Sequence, residues 1–245
     1  MLLAYIFIFT IIGSVLSLVA SFLLIFKKTI TESFSNYLVS FAAGVLLTFA
    51  FLDLLPEAQE AAGEHNFLIP ALLGFIVFFL TERYLRLFHH HHGHGEKTPT
   101  VLVLIGDGVH NFIDGVIITA SFLTSIPLGI ATSLAVAAHE IPQEIADMGV
   151  LLANGLSKSK ALFYNFLSAL TALFGALLAY YFAEIIEGNL YIFLSLTAGF
   201  FIYISASDLI PSLHEQNLKD KSLQYILVFL LGVVLVFVSS LLLEA

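Results

Sequence analysis

Two stretches concentrate the residues able to do chemistry. In "GDGVHNFIDGV" (106–116) His110 and Asp114 stand four apart and Asp107 three before His110, so a helix would put all three on one face, with Asn111 beside it. In "HEIPQEIADMGV" (139–150) His139 and Gln143 form one i,i+4 pair, Glu140 and Glu144 a second, and Asp147 extends the second stripe at i+3. Pro142 has no amide hydrogen, so it releases the carbonyl of Ala138 one turn earlier, kinks the helix and leaves an oxygen that a cation could use.

The elements that must carry these residues are apolar. The chain has 245 residues, 59% hydrophobic and only 11% charged, with 24 Phe and a mean hydropathy of +0.99. Repeated apolar runs reach the length needed to cross about 30 Å of hydrocarbon, which makes this an all-α polytopic membrane protein rather than a soluble domain. Cysteine is absent, which excludes disulfide frameworks and thiolate metal sites. The net charge of -9 comes from acidic residues in spans and loops, and no nucleic-acid partner is expected.

The runs predict eight helices, at 2–26, 34–56, 66–88, 100–123, 126–154, 159–183, 189–212 and 222–243. The first is followed by Lys27 and Lys28, the reverse of a signal peptide's charge order, so it is read as a span. On this count Lys27, Lys28, Arg83, Arg86, Lys97, Lys158, Lys160, Lys219 and Lys221 all fall on one side, which the positive-inside rule makes cytoplasmic. The opposite loops hold Glu57, Glu60, Glu64, Glu184 and Glu187, and both termini are expected there, outside the cytoplasm. The inner membrane of a prokaryotic cell is the expected location. Residues 1–245 read as one transmembrane domain, with a cytoplasmic His-rich loop at 89–99 between the third and fourth helices.

Two stretches repeat. "AGVLLTFAFLDLLP" (43–56) and "AGFFIYISASDLIP" (198–211) align without gaps, matching Ala43 with Ala198, Gly44 with Gly199, Asp53 with Asp208, Leu54 with Leu209 and Pro56 with Pro211. The predicted topology makes the copies inverted, an arrangement found in transporters that alternate access around a midplane site, and suggests a 3+2+3 order with the fourth and fifth helices central.

Asp114, Glu140, Glu144 and Asp147 would together cost about 10–14 kcal/mol to insert, and no Lys or Arg in either span can neutralise them. Hydrogen-bonding glue between helices is the alternative to a site, but it does not need this many carboxylates. A bound cation offsets the cost. Imidazole combined with carboxylate and amide oxygen suits a divalent transition metal, and the lack of sulfur argues against copper(I). The divalent metal would be substrate rather than cofactor, and no catalytic cofactor is expected.

"HNFIDG" (110–115) followed by "HEIPQE" (139–144) resembles the paired fourth- and fifth-helix motifs of the ZIP (Zrt/Irt-like) metal transporter family. The likeness extends over the chain: eight spans, outward termini and a His-rich loop after the third span. It implies uptake of zinc, or of iron, manganese or cadmium, toward the cytoplasm through a binuclear site between these helices. Carried onto this sequence, His110, Asp114, His139 and Gln143 form the primary site, and Asn111 and Glu140 lie in or bridge to the second. Glu144 and Asp147 match acidic positions of the extended fifth-helix motif. The chain departs from the family at Gln143, where many members have His or Glu, and at Ala172, where some have Glu.

"HHHHGHGEK" (89–97) reads as a metal-collecting loop rather than the transport site. Asp53 would lie near the entrance and Asp208, His214 and Glu215 near the exit, although Asp shortly before Pro is also a helix-end signal. Metal ions and the lipid bilayer are the expected partners, and a homodimer is a possible assembly. A membrane zinc protease is a rival, but the second His of H-E-x-x-H is Gln143 here. A cation exporter of the diffusion-facilitator type also uses His-x-x-x-Asp, with six spans and a soluble C-terminal domain. A structural or sensing membrane protein is the remaining alternative, which a metal-flux assay separates from a transporter.

Overall fold

The computed structural model describes residues 1–15, 17, 18, 32–89, 100–215 and 222–243. Every regular element among them is helical: α1 (Leu2–Thr10), α2 (Glu32–Phe49), α3 (Leu55–Ala62), α4 (Leu68–His89), α5 (Thr100–Thr124), α6 (Ile126–Ala153), α7 (Lys158–Tyr181), α8 (Ala183–Glu187), α9 (Leu190–Tyr203), α10 (Ile210–Glu215) and α11 (Ser222–Leu243). Wider π turns at Ile11–Val15, Ala50–Leu54 and Ile204–Leu209 prolong α1, join α2 to α3 and join α9 to α10.

Among the described residues, four stretches are long and apolar enough to cross a membrane: Asn36–Ala62, Lys158–Tyr181, Leu190–Ser207 and Ser222–Leu241. The helices α5 and α6 have 25 and 28 residues, but buried carboxylates interrupt their apolar character. Large apolar side chains point outward, including Leu72, Leu80, Phe163, Phe174, Leu223, Leu227 and Leu231, while Thr10, Ser14, Thr132, Ser133 and Ser195 are buried. Apolar surface outside and polar groups inside is the distribution a lipid solvent selects, because hydrocarbon cannot satisfy a hydrogen bond. The protein is an integral membrane protein.

Both aligned repeats build the same irregularity. The amide of Leu55 bonds the carbonyl of Ala50, and that of Ile210 bonds Ser205, each five residues back and each immediately before the proline. The extra residue per turn accommodates the proline ring and moves Asp53 and Asp208 off the regular helical register. The repeats also pack alike. A Cβ on Gly44 would collide with the backbone of α11 at Phe229, and one on Gly199 with the backbone of α4 at Ala71; Gly232 and Gly74 return the contacts at Phe41 and Leu196.

The same principle fixes α5 against α7. Gly115 lies against the backbone of Ala172 and Gly175 against the carbonyl of Phe112, so the helices approach more closely than any side chain would permit. At this separation hydroxyls bridge directly, Thr171 Oγ1 donating to Gly108 O (2.6 Å) and Thr119 Oγ1 to Ala176 O (3.3 Å). Ser125 caps α6 by accepting from the amide of Leu128, and Ser157 caps α7 by accepting from that of Lys160. Gly155, at φ +91°, makes the turn between α6 and α7 in a left-handed conformation that glycine tolerates best. The polar face of α5 is thereby turned toward α6.

Candidate metal centre

Helix periodicity brings His110 and Asp114 of α5 opposite His139 and Glu140 of α6. His110 Nε2 lies 3.1 Å from His139 Nε2, 3.8 Å from Asp114 Oδ2 and 3.4 Å from Glu140 Oε1. His139 Nε2 lies 3.5 Å from Asp114 Oδ2 and 3.7 Å from Glu140 Oε1. One ligand atom from each of the four residues falls within 4.8 Å of every other. A tetrahedron with edges of about 3.4 Å has its corners about 2.1 Å from the centre, the length of a zinc bond to imidazole or carboxylate. The five distances scatter around that edge length.

Burial makes the arrangement demanding. Asp114, His139 and Glu140 are at most 2% exposed, and neither Glu140 oxygen nor Asp114 Oδ2 has a hydrogen-bond partner among the described residues. Two carboxylates with two neutral imidazoles balance one divalent cation, so a metal would satisfy both the charge and the orphaned oxygens. The backbone orients His139. Its Nδ1 faces the carbonyl of Ala135 at 3.3 Å, which holds the proton there and leaves Nε2 with its lone pair toward the cluster. The edge of Phe78 meets the ring of His110, and Phe201 meets that of His139, so aromatic side chains from α4 and α9 wall the site.

The remaining expected residues divide. Asn111 is fully buried but turns back along its own helix, donating to Asp107 Oδ1 at 2.9 Å. Asp107 also meets the side chains of Gln143 and Ser168, so Gln143 faces Asp107, while Glu140 takes the fourth corner of the tetrad. Glu144 is fully buried and accepts from Asn165 of α7 at 2.7 Å; Asp147 lies one turn further and is half-buried. Pro142 is buried within α6, which continues as helix on both sides of it. Asp53 accepts from Ser240 of α11 with both oxygens, at 2.9 and 2.8 Å. The side chains of Asp208, His214 and Glu215 lie outside the described residues, as do residues 90–99 of the His-rich loop.

Sequence reasoning missed Asn165, Ser168, Phe78 and Phe201. Asn165 and Ser168 stand at i,i+3 in an otherwise apolar span, a signal of the same kind as the fourth- and fifth-helix stripes. Nothing in the sequence distinguishes Phe78 and Phe201 from the other phenylalanines. Ala172, where a further carboxylate was sought, is buried in the close contact with Gly115.

An uncharacterized zinc transporter of Schizosaccharomyces pombe is 28% identical across 82% of this chain and 61% of its own length. Human zinc transporter ZIP6 is 38% identical, covering 49% of this chain and 16% of the human protein; mouse zinc transporter ZIP4 is 42% identical, covering 49% and 18%. The chain thus spans under two thirds of the first relative and under a fifth of the other two. The family model described as ZIP Zinc transporter matches residues 1–101 and 92–240, nearly the whole sequence, and the chain belongs to that family.

Proposed function

We propose that this protein moves divalent transition metal ions across the membrane toward the cytoplasm, with zinc the first candidate and iron, manganese or cadmium the others. The observation that carries the reading is the buried tetrad of His110, Asp114, His139 and Glu140, whose ligand-atom spacing suits a tetrahedral ion. The zinc transporters among its relatives agree with it. Transport of this kind requires no enzymatic step.

The transport unit is an eight-span bundle in a 3+2+3 order, and its inverted symmetry is supported by the matched π turns and the matched glycine contacts of the two repeats. The α2 helix packs against α11 as α9 packs against α4, the exchange that a twofold axis relating the first three spans to the last three requires. Both termini and the Glu57–Glu64 loop lie outside, and the basic residues and the 89–99 loop inside. An ion enters from the acidic side, sheds water onto the tetrad, and leaves along the lower part of α5 and α6. His139 meets the Ala135 carbonyl and both imidazoles pack against aromatic rings before the ion arrives, so their binding requires little rearrangement.

The test is uptake of zinc and the other cations into proteoliposomes holding the purified chain, compared with the Glu140→Gln and His139→Ala variants. Saturable metal uptake that both variants lose is the expected result. Equal flux in all three proteins would remove the tetrad from the pathway.

A further inference from the structure

His110 and Asp114 turn toward α6, whereas Ile105, Gly108 and Phe112 of the same helix line a groove of about 510 Å³ between α5 and α7. Its other wall includes Tyr164, Leu167 and Phe174 of α7. Ile105, Tyr164, Leu167 and Phe174 are 40–62% exposed, so the groove opens sideways out of the bundle. Two hydroxyls on its floor are already engaged with backbone, Thr171 Oγ1 donating to Gly108 O at 2.6 Å and Ser168 Oγ to Leu104 O at 3.4 Å. The groove therefore presents an apolar surface, which suits a hydrocarbon occupant and gives a polar one little to bond.

Its length matches one membrane leaflet. Tyr164 and Phe174 are ten residues apart, about 15 Å along a helix, and the hydrocarbon of a whole bilayer is about 30 Å thick. The volume falls in the range of ligand clefts rather than of packing defects. The end at Tyr164 is the charged one. Lys160 stands four residues before Tyr164, so the two share a helical face, and Lys160 is exposed one turn beyond the mouth of the groove. Tyrosine is enriched at the headgroup level, where its ring meets hydrocarbon and its hydroxyl meets the interface. Residues 148–183 hold no Asp or Glu, so no carboxylate along α7 competes with an outside anion for Lys160.

We propose that this groove is a phospholipid site, in which one acyl chain lies along Tyr164 to Phe174 and an anionic headgroup meets the Lys160 ammonium and the Tyr164 hydroxyl. On the orientation proposed above, the lipid belongs to the cytoplasmic leaflet. A zwitterionic lipid fits the groove equally well but brings no net negative charge to Lys160, so the site prefers headgroups such as phosphatidylglycerol. Gly108 leaves the space for the chain. A Cβ there would stop 3.4 Å from Ser168 Oγ and 3.7 Å from Thr171 Cγ2, ordinary contacts, whereas one on Gly115 would enter the backbone of Ala172. The chain lies behind the stretch of α5 that carries His110 and Asp114, so an occupied groove holds that helix from the lipid side and stabilises the fold by mass action.

The test is native mass spectrometry of the full chain, released from detergent after titration with dioleoyl phosphatidylglycerol or dioleoyl phosphatidylcholine, with glycerol phosphate as the headgroup without chains. The starting protein is expected to retain one phosphatidylglycerol per chain, to hold phosphatidylcholine at least fivefold more weakly, and to retain no glycerol phosphate. A basic residue at an anionic surface contributes on the order of fivefold in affinity, so reversing the charge with Lys160→Glu should weaken phosphatidylglycerol about tenfold or more and abolish the preference. Gly108→Leu, which fills the groove, should lose both lipids and the rise in thermal midpoint that phosphatidylglycerol gives the starting protein. Should Gly108→Leu not fold, Leu167→Trp fills the groove from the other wall and carries the same expectation. Equal retention of the two lipids by the starting protein, or unchanged phosphatidylglycerol binding in Lys160→Glu, would overturn the headgroup contact and with it the site. Undiminished binding in the groove-filling variant would show lipid held elsewhere on the surface and overturn it as well.

Discussion

Changing His139 to Ala removes the nitrogen at which three edges of the tetrad meet, of 3.1, 3.5 and 3.7 Å. Structural zinc sites bind with roughly 10 kcal/mol at their weak end, so one ligand of four carries about 2.5 kcal/mol, or close to a hundredfold in Kd. Suppose the starting protein binds zinc with a Kd of about 1 µM. Free zinc at about 100 µM then stabilises it by about 2.7 kcal/mol, whereas a variant weakened to about 100 µM gains only about 0.4 kcal/mol. Thermal unfolding of detergent-purified protein, with and without zinc, reads that difference directly. Loss of the imidazole also leaves a gap against Phe201, so the metal-free variant should itself melt somewhat lower. The zinc-dependent increment separates the two effects, because packing acts equally in both measurements. Asp114→Asn, which keeps the shape of the side chain, should lose the increment with little change in the metal-free midpoint. An undiminished increment in both variants would refute the tetrad as a metal site.

Three further outcomes follow from other parts of the molecule. Gly115→Ala should destabilise the bundle by about 1–3 kcal/mol, because its Cβ would enter the backbone of Ala172 across the α5–α7 contact; a thermal midpoint equal to the starting protein's would contradict that packing. Replacing His89 to His92 and His94 with Ser should leave flux at saturating metal nearly unchanged while altering its dependence on metal concentration, and abolished flux would place the loop on the path. A membrane-impermeant label on a cysteine introduced at Glu60 should react from outside, and one at His92 only after the inner side is opened; the reverse pattern would invert the transport direction.

Much of this was legible in the residues alone. The i,i+4 spacing of His110 and Asp114 puts them on one helical face by geometry, and adjacency of His139 and Glu140 sets an imidazole and a carboxylate side by side at the start of the polar stripes. The cost of carboxylates in hydrocarbon says that they must meet something positive, whatever the fold. Helicity and membrane character follow from apolar runs that cannot leave their backbone unpaired in lipid. The repeat centred on Asp53 and Asp208 could be read as an alignment, although not as the π turns that both copies adopt. Those turns depend on how a proline-bearing helix is packed as well as on the proline.

The tertiary structure decided which neighbours the polar stripes find. Spacing along α6 treats His139 with Gln143 and Glu140 with Glu144 as equivalent pairs, since both recur at i,i+4. The rotation of α6 against α5 breaks the equivalence. It turns Glu140 into the cluster with His110, Asp114 and His139, and leaves Gln143 facing Asp107 and Glu144 facing Asn165. The Gly115 and Gly175 crossings, in turn, bring α7 against α5 and carry Asn165 and Ser168 with it. Periodicity along one helix fixes which side chains share a face, but the angle at which two faces meet depends on packing among all the helices around them.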